Sequence, residues 1–396
     1  MNPYRIAPPP QWWPPKLKPR MVRLLRLLRQ RLRVREQRLI EIEVHGLEPV
    51  REALAAGHGM LITPNHPTHA DAHSMYAMSD RVGRPFYFMA TWHVFTTRTR
   101  LGRRALQWHG VFSVDREGTD LRAFKQAVDI VQRQPFPLVI FPEGEVYHCN
   151  DRVTPFREGA AMVALSAAKR AKRHIQCVPC ALKYEYLEDP TPTLLTTMAE
   201  LERHIHWRPQ PDRSLVERIY RFAEAAMSIK EIEFHERAMP GTLPERTKAL
   251  ANYLLDRLET RHGIDPDGRT IPERTKQLRR LALEKLETMA RDDPGRKQVN
   301  DELDDLFLVV QAFSYPGNYV AEQPSIERLA ETIDKFEEDV LGKYSPTIRA
   351  ARKVTIRLGE PIAVESTRGS RASAVELTDR LERQVQAMLD LHRRVE

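Results

Sequence analysis

The sequence predicts an α/β fold, a sheet with crossover helices interrupted by a large all-helical insertion. Three observations predict it. From about residue 38, short apolar runs alternate with longer helical periods. After Tyr186 the texture turns to long, highly charged helical periods with few β-branched runs, and stays so until about residue 347. Then Lys353-Val-Thr-Ile-Arg-Leu-Gly-Glu-Pro-Ile362 restores strand periodicity ahead of an amphipathic helix over Ala372–His392. The expected divisions are a basic N-terminal segment at 1–37, the first part of the α/β domain at 38–190, the helical insertion at 191–347, and a closing strand and helix at 348–396.

Each element follows from a local signal. Strands are expected at Leu39–Val44, Met60–Thr63, Pro85–Met89, Val111–Val114, Leu138–Phe141 and Gln176–Leu182, where apolar and β-branched residues cluster. Gly57 and Gly59 supply the tight turn before the second of these. Helices are expected at Ala70–Arg81, Thr99–Trp108, Thr119–Arg133 and Phe156–Ala171. Within the helical block, Leu243-Pro-Glu-Arg-Thr-Lys-Ala-Leu and Ile271-Pro-Glu-Arg-Thr-Lys-Gln-Leu resemble each other, each with proline at a first-turn position. Two copies do not make a solenoid. Parallel helix starts in a bundle and chance composition both explain them.

Composition narrows the class of partner. Three cysteines, Cys149, Cys177 and Cys180, are too few and odd in number for a disulfide framework, which points to a reducing compartment and a cytoplasmic location. No apolar run is long enough to cross a bilayer, and the first twenty residues lack a signal-peptide centre. A net charge of +8 suggests an anionic partner. Much of that charge lies in KLKPRMVRLLRLLRQRLRVREQR, where Leu24, Leu25, Leu28 and Leu32 share helical spacing behind Trp12 and Trp13. The pattern is that of a basic amphipathic helix with an aromatic anchor, lying on the inner face of a membrane. A solvated arginine-rich helix packed on its own domain is the plainer alternative. No nucleic-acid-binding motif accompanies the charge, so nucleic acid is not expected as a partner.

The densest chemistry lies in Pro64-Asn-His-Pro-Thr-His-Ala-Asp-Ala-His73. As a metal site, His66, His69, Asp71 and His73 would serve a metal-dependent hydrolase, with further ligands sought among His93, His109 and His148. As a base, His66 at a strand end and Asp71 on the following helix meet across a turn, because Pro67 prevents one continuous helix from holding both. A carboxylate on one imidazole nitrogen fixes the tautomer and supports the cation formed when the other nitrogen takes a proton. No G-x-S-x-G elbow supplies a serine nucleophile, so such a base would act directly on a substrate hydroxyl.

Asn65-His66-Pro-Thr-His-Ala-Asp71 resembles the histidine/four-residue/aspartate motif of the glycerolipid acyltransferases, the lysophosphatidic acid acyltransferase-like family. Its further motifs follow in order. Gly110-Val-Phe-Ser-Val-Asp-Arg116 resembles the second, Phe141-Pro-Glu-Gly144 the third and Val178-Pro179 the fourth. Phe156-Arg157-Glu-Gly-Ala-Ala161 and Val354–Ile362 resemble the helix and late strand of the same family. The resemblance covers roughly residues 40–186 and 350–392. It implies a mixed sheet flanked by helices, with His66 as general base, Asp71 as its orienting acid, and Asn65, Arg116, Glu143, Gly144 and Arg157 as substrate-binding residues. It also implies acyl-CoA or acyl carrier protein as co-substrate, a lysophospholipid or related glycerolipid as acceptor, and neither cofactor nor metal. One stretch departs from the family. Glu145-Val-Tyr-His148 follows Glu143-Gly144 where many members carry Thr-Arg-Ser, so phosphate recognition would lean on Arg116, with Arg152 or Arg157 as substitutes. His69 and His73 lie outside the motif and are expected at a pocket edge and on the helix surface. A non-catalytic peripheral lipid-binding protein is the remaining rival.

Overall fold

The computed structural model describes residues 11–116, 120–266, 268–290, 292–315, 317–365 and 371–393. The first ten residues of the expected N-terminal segment, and the last three of the closing one, lie outside them. The chain divides into two compact units, one holding 10–189 and 348–396, the other 190–347.

The first unit is built on an eight-stranded mixed sheet. Its strands are β1 (Leu39–His45), β2 (Gly59–Pro64), β3 (Tyr87–Thr91), β4 (Val111–Val114), β5 (Leu138–Val139), β6 (Ile175–Tyr186), β7 (Arg352–Leu358) and β8 (Ile362–Val364). They run in the order β1-β7-β6-β2-β5-β3-β4, with β8 on β6. The stretch from β6 through β2, β5 and β3 to β4 is parallel, as crossover helices require, whereas β7 and β8 pair antiparallel to β6. The expected late strand over 353–362 is therefore two strands. Gly359 breaks it, and its N–H donates to Pro179 O at 2.9 Å where a β-carbon would meet the Pro179 ring at 2.8 Å.

Alternation along the strands feeds two cores. Met60 and Ile62 face one side with Met75, Met78, Val178 and Ile356, while Leu61 faces the other with Phe112, Ala127, Ala164 and Leu381. Helices α1 (Pro19–Leu24), α2 (Arg26–Gln37), α3 (Leu47–Ala55), α4 (Asp71–Val82), α5 (His93–Thr96), α6 (Arg100–Trp108), α7 (Leu121–Arg133) and α8 (Gly159–Ala168) belong to this unit, with the last helix, Arg371–Arg393. Cys177 and Cys180, three apart on β6, fall on opposite faces and are buried as free thiols, with Cys177 pushed up to about 12 by desolvation.

Two expectations about the N-terminal segment change. The helix is broken at Leu25 into α1 and α2. The tryptophans are half-buried against their own unit. Trp13 exchanges hydrogen bonds with Ser113, whose N–H donates to its carbonyl at 3.0 Å, and its ring stacks on Phe95 at 5.1 Å. Trp12 packs edge-on to Phe112. The segment therefore covers the free edge of β4, where unpaired strand groups would otherwise meet solvent.

The second unit is helical: α9 (Thr191–His204), α10 (Leu215–His235), α11 (Leu243–His262), α12 (Ile271–Thr288), α13 (Gly295–Ser314), α14 (Tyr319–Glu322) and α15 (Ile326–Asp339); the closing helix of the first unit is then α16. The two similar stretches noted above are two of three copies. Ser214, Thr242 and Thr270, each 28 residues after the last, cap α10, α11 and α12 with a capping box completed by Glu217, Glu245 and Glu273. The next residue in each copy is an arginine that makes a two-pronged pair with a glutamate of the preceding helix: Arg218 with Glu202, Arg246 with Glu231, Arg274 with Glu259. The repeat thus encodes one helix-joining device, in which the fork geometry of arginine fixes how successive helix ends meet.

Candidate active site

The sheet collects the candidate residues at one edge. His66 follows β2, Arg116 follows β4 and Glu143 follows β5, three parallel strands whose carboxyl ends point the same way. β6 runs on past the end of β2, and the vacated side of its ladder is filled by side-chain amides. Asn65 accepts from Leu182 N–H at 2.7 Å and donates to Leu182 C=O at 3.1 Å; Asn150 does the same for Tyr184 at 2.7 and 2.6 Å. Each asparagine imitates a strand neighbour.

The amide of Asn65 fixes where the next residue starts. His66 Nδ1 lies 2.6 Å from Asp71 Oδ2, across the turn that Pro67 opens. Asp71 is fully buried in the first turn of α4, where the helix dipole favours an anion. It also accepts from Thr68 N–H at 3.1 Å and from the Tyr184 hydroxyl at 2.7 Å. The His66 ring stacks on Phe141 at 4.2 Å and stays 22% exposed. Nε2 bonds no protein atom among the described residues. With Nδ1–H held by the carboxylate, Nε2 is the basic nitrogen, and it faces outward.

Glu143 sits beneath this turn. It is 2% exposed, accepts from His66 N–H at 2.9 Å and bonds Thr154. Desolvation outweighs those donors and pushes its carboxyl up to about 8. Glu143, expected among the substrate-binding residues, lies buried in this structure, where its carboxyl holds the His66 backbone. Asn65, expected in the same role, is fully buried with both polar ends of its amide bonded to Leu182.

Two guanidiniums flank Gly144. Arg116 Nη1 donates to the Gly144 carbonyl and lies 3.8 Å from Glu145. Arg157 lies against the glycine, so that a β-carbon on Gly144 would sit 2.8 Å from its guanidinium carbon. The φ of +84° at Gly144 is a further reason for glycine here. Tyr147, from the stretch that departs from the family pattern, bonds Arg157 through its hydroxyl and donates its N–H to His66 O at 3.4 Å. Sequence reasoning missed Tyr147 and Tyr184, and no local motif marks either.

His66, His69, Asp71 and His73 do not converge as a group of ligand atoms. The His69 ring stands edge-on to His148 at 5.8 Å. His73 is not on the helix surface as expected. It is half-buried near Glu36, Arg98 and Arg33, and desolvation holds its imidazole below the ordinary range.

Residues 41–183 match the acyltransferase family model. They form an acyltransferase-family domain. The matched span runs from β1 to β6 and contains every site residue expected from the sequence, while Tyr184 lies one residue beyond it. A solved structure, the 1-acyl-sn-glycerophosphate (LPA) acyltransferase PlsC from Thermotoga maritima, is similar at 14% identity and a TM-score of 0.28. The likeness covers 40% of this chain and 56% of that one. No curated protein is matched.

Proposed function

We propose that the acyltransferase domain moves a fatty acyl group from a thioester donor, acyl-CoA or acyl carrier protein, to a hydroxyl of a lysophospholipid or related glycerolipid. The observation that carries the reading is the carboxylate–imidazole pair at 2.6 Å, its outer nitrogen bonded to no described protein atom, with two guanidiniums gathered at Gly144, the residue after the Glu143 that holds the His66 backbone. His66 Nε2 takes the acceptor's hydroxyl proton as the oxygen attacks the thioester carbonyl. Asp71 holds the ring in the Nδ1–H tautomer and stabilises the imidazolium. The tetrahedral oxyanion then collapses, the carbon–sulfur bond breaks, and the thiolate leaves with the proton from His66. One ester and one thiol result.

Arg116 and Arg157 suit an anionic group on the acceptor, since a planar guanidinium offers paired donors to phosphate or carboxylate. They would take the part of the arginine missing from Glu145-Val-Tyr-His148. Membrane attachment draws support from the face that α1 and α2 leave open. Leu24, Leu27 and Leu28 are 73, 68 and 50% exposed among exposed Arg20, Arg23, Arg26 and Arg31. Arg29 is the residue turned inward, paired with Asp80 at 2.8 Å and bonded to His109. Exposed leucines bordered by arginines suit an anionic lipid surface, and the proposal extends to attachment on the inner, cytoplasmic face of a membrane.

The test offers the purified protein acyl-CoA with a panel of lysolipids and identifies products by mass spectrometry. An ester product carrying the donor's acyl mass is expected. Free fatty acid alone, from a protein that retains stoichiometric zinc and is silenced by chelation, would favour a metallohydrolase instead.

A further inference from the structure

Tyr184 lies on β6, a strand end remote in sequence from the His66 turn, and its hydroxyl reaches the oxygen of Asp71 that His66 does not use. An ionised carboxylate only accepts, so the phenol donates to Asp71 Oδ1 at 2.7 Å. Ser74, on the next turn of α4, lies 2.6 Å from the phenol oxygen and donates in turn. The Ala70 carbonyl competes for that hydroxyl only at 3.4 Å. The Tyr184 backbone is held at both N–H and C=O by Asn150, and its ring lies under the Arg352 guanidinium of β7 at 5.7 Å. The result is a buried chain, Ser74 to Tyr184 to Asp71 to His66, running from the helix and strand interior to the open imidazole.

We propose that Tyr184 is a positioning residue for the His66 base, fixing the rotation of the Asp71 carboxylate and setting the pH at which His66 takes a proton. The inference rests on the acyl-transfer reading for its catalytic meaning, but its geometry is independent of any substrate. A donor on Oδ1 spreads the negative charge of Asp71 and weakens its pull on the Nδ1 proton. Removing that donor concentrates charge on the carboxylate, strengthens its hold on the imidazolium and moves the His66 titration upward. The other titratable groups close to this pair are Glu143, which follows β5, and Cys180 of β6, each raised in part by the charge of Asp71, with Arg352 on the β7 side. None of them bonds Asp71.

The experiment is NMR titration of His66 in the wild type, Tyr184→Phe and Ser74→Ala, with the pH profile of kcat/KM beside it. In Tyr184→Phe the His66 midpoint rises by half a pH unit or more, and the acid limb of kcat/KM moves by the same amount. Ser74→Ala gives a smaller shift in the same direction and reports even if the phenylalanine variant fails to fold. Folded variants whose His66 midpoint is unchanged would overturn the proposal. A protein that shows the NMR shift but forms no ester in any assay would instead overturn the acyl-transfer reading, so the two failures are distinguishable.

Discussion

Asn65→Asp changes one nitrogen to oxygen, and its effect is set by the two bonds that Asn65 makes to Leu182. The N–H of Leu182 keeps its acceptor, but the carbonyl, 3.1 Å from Asn65 Nδ2, would face a second oxygen with no proton between them. Asn65→Ala leaves both backbone groups of a fully buried residue without partners. At about 1–3 kcal/mol for each orphaned group, that variant loses about 2–6 kcal/mol. Asn65→Asp loses a similar amount at neutral pH, because one orphan is exchanged for a buried charge. Protonation supplies the missing donor. Its folded pKa is therefore raised above the unfolded value, so stability is present at low pH and lost as pH rises through the carboxylate range. Urea denaturation of both variants at pH 4 and pH 8 reads this directly. The reasoning is refuted if Asn65→Asp matches the wild type at pH 8. It is equally refuted if Asn65→Ala raises KM for the acceptor while its urea midpoint stays put, which would return Asn65 to the substrate.

Glu143 gives a pH signature of its own. Between about 4.5 and about 8 its unfolded carboxyl is ionised while the folded one keeps its proton, so its contribution falls as pH rises across that window. Glu143→Gln removes this slope, and a urea midpoint that declines equally in wild type and variant would contradict it. Gly144→Ala forces a side chain into φ +84° and against Arg157, at about 1–2 kcal/mol for the backbone alone. Steady-state kinetics should show acceptor KM rising more than kcat falls, and an unchanged KM would remove Arg157 from acceptor binding. Combined serine substitution of Leu24, Leu27 and Leu28, all exposed, should leave thermal stability nearly unchanged and abolish flotation with anionic vesicles. Undiminished flotation would place membrane contact elsewhere.

Strands such as β2 and β4 were legible in the sequence because composition alone marks a buried run, and the His66–Asp71 pairing because five residues and one proline set it. The roles of Asn65, Glu143 and Tyr184 were not legible. Each depends on which strand end lies beside which, and register between strands distant in sequence leaves no local trace. Asn65 reads as a polar neighbour of the base until β6 is seen to run past β2. Trp12 and Trp13 read as lipid anchors because aromatic residues among prolines and arginines suit an interface and a sheet edge equally. In the helical unit the third copy, Ser214-Leu-Val-Glu-Arg218, lacks the proline that made the other two visible, and the shared capping box and arginine–glutamate pairing join it to them.

The central claim is that His66, oriented by Asp71, takes the proton of an acceptor hydroxyl. Ester formation from acyl-CoA and the best lysolipid of the panel, measured for His66→Ala with circular dichroism to establish folding, tests it most directly. The account predicts a folded variant whose kcat falls by about 10²–10⁴. A folded His66→Ala protein that forms ester at the wild-type rate would contradict it.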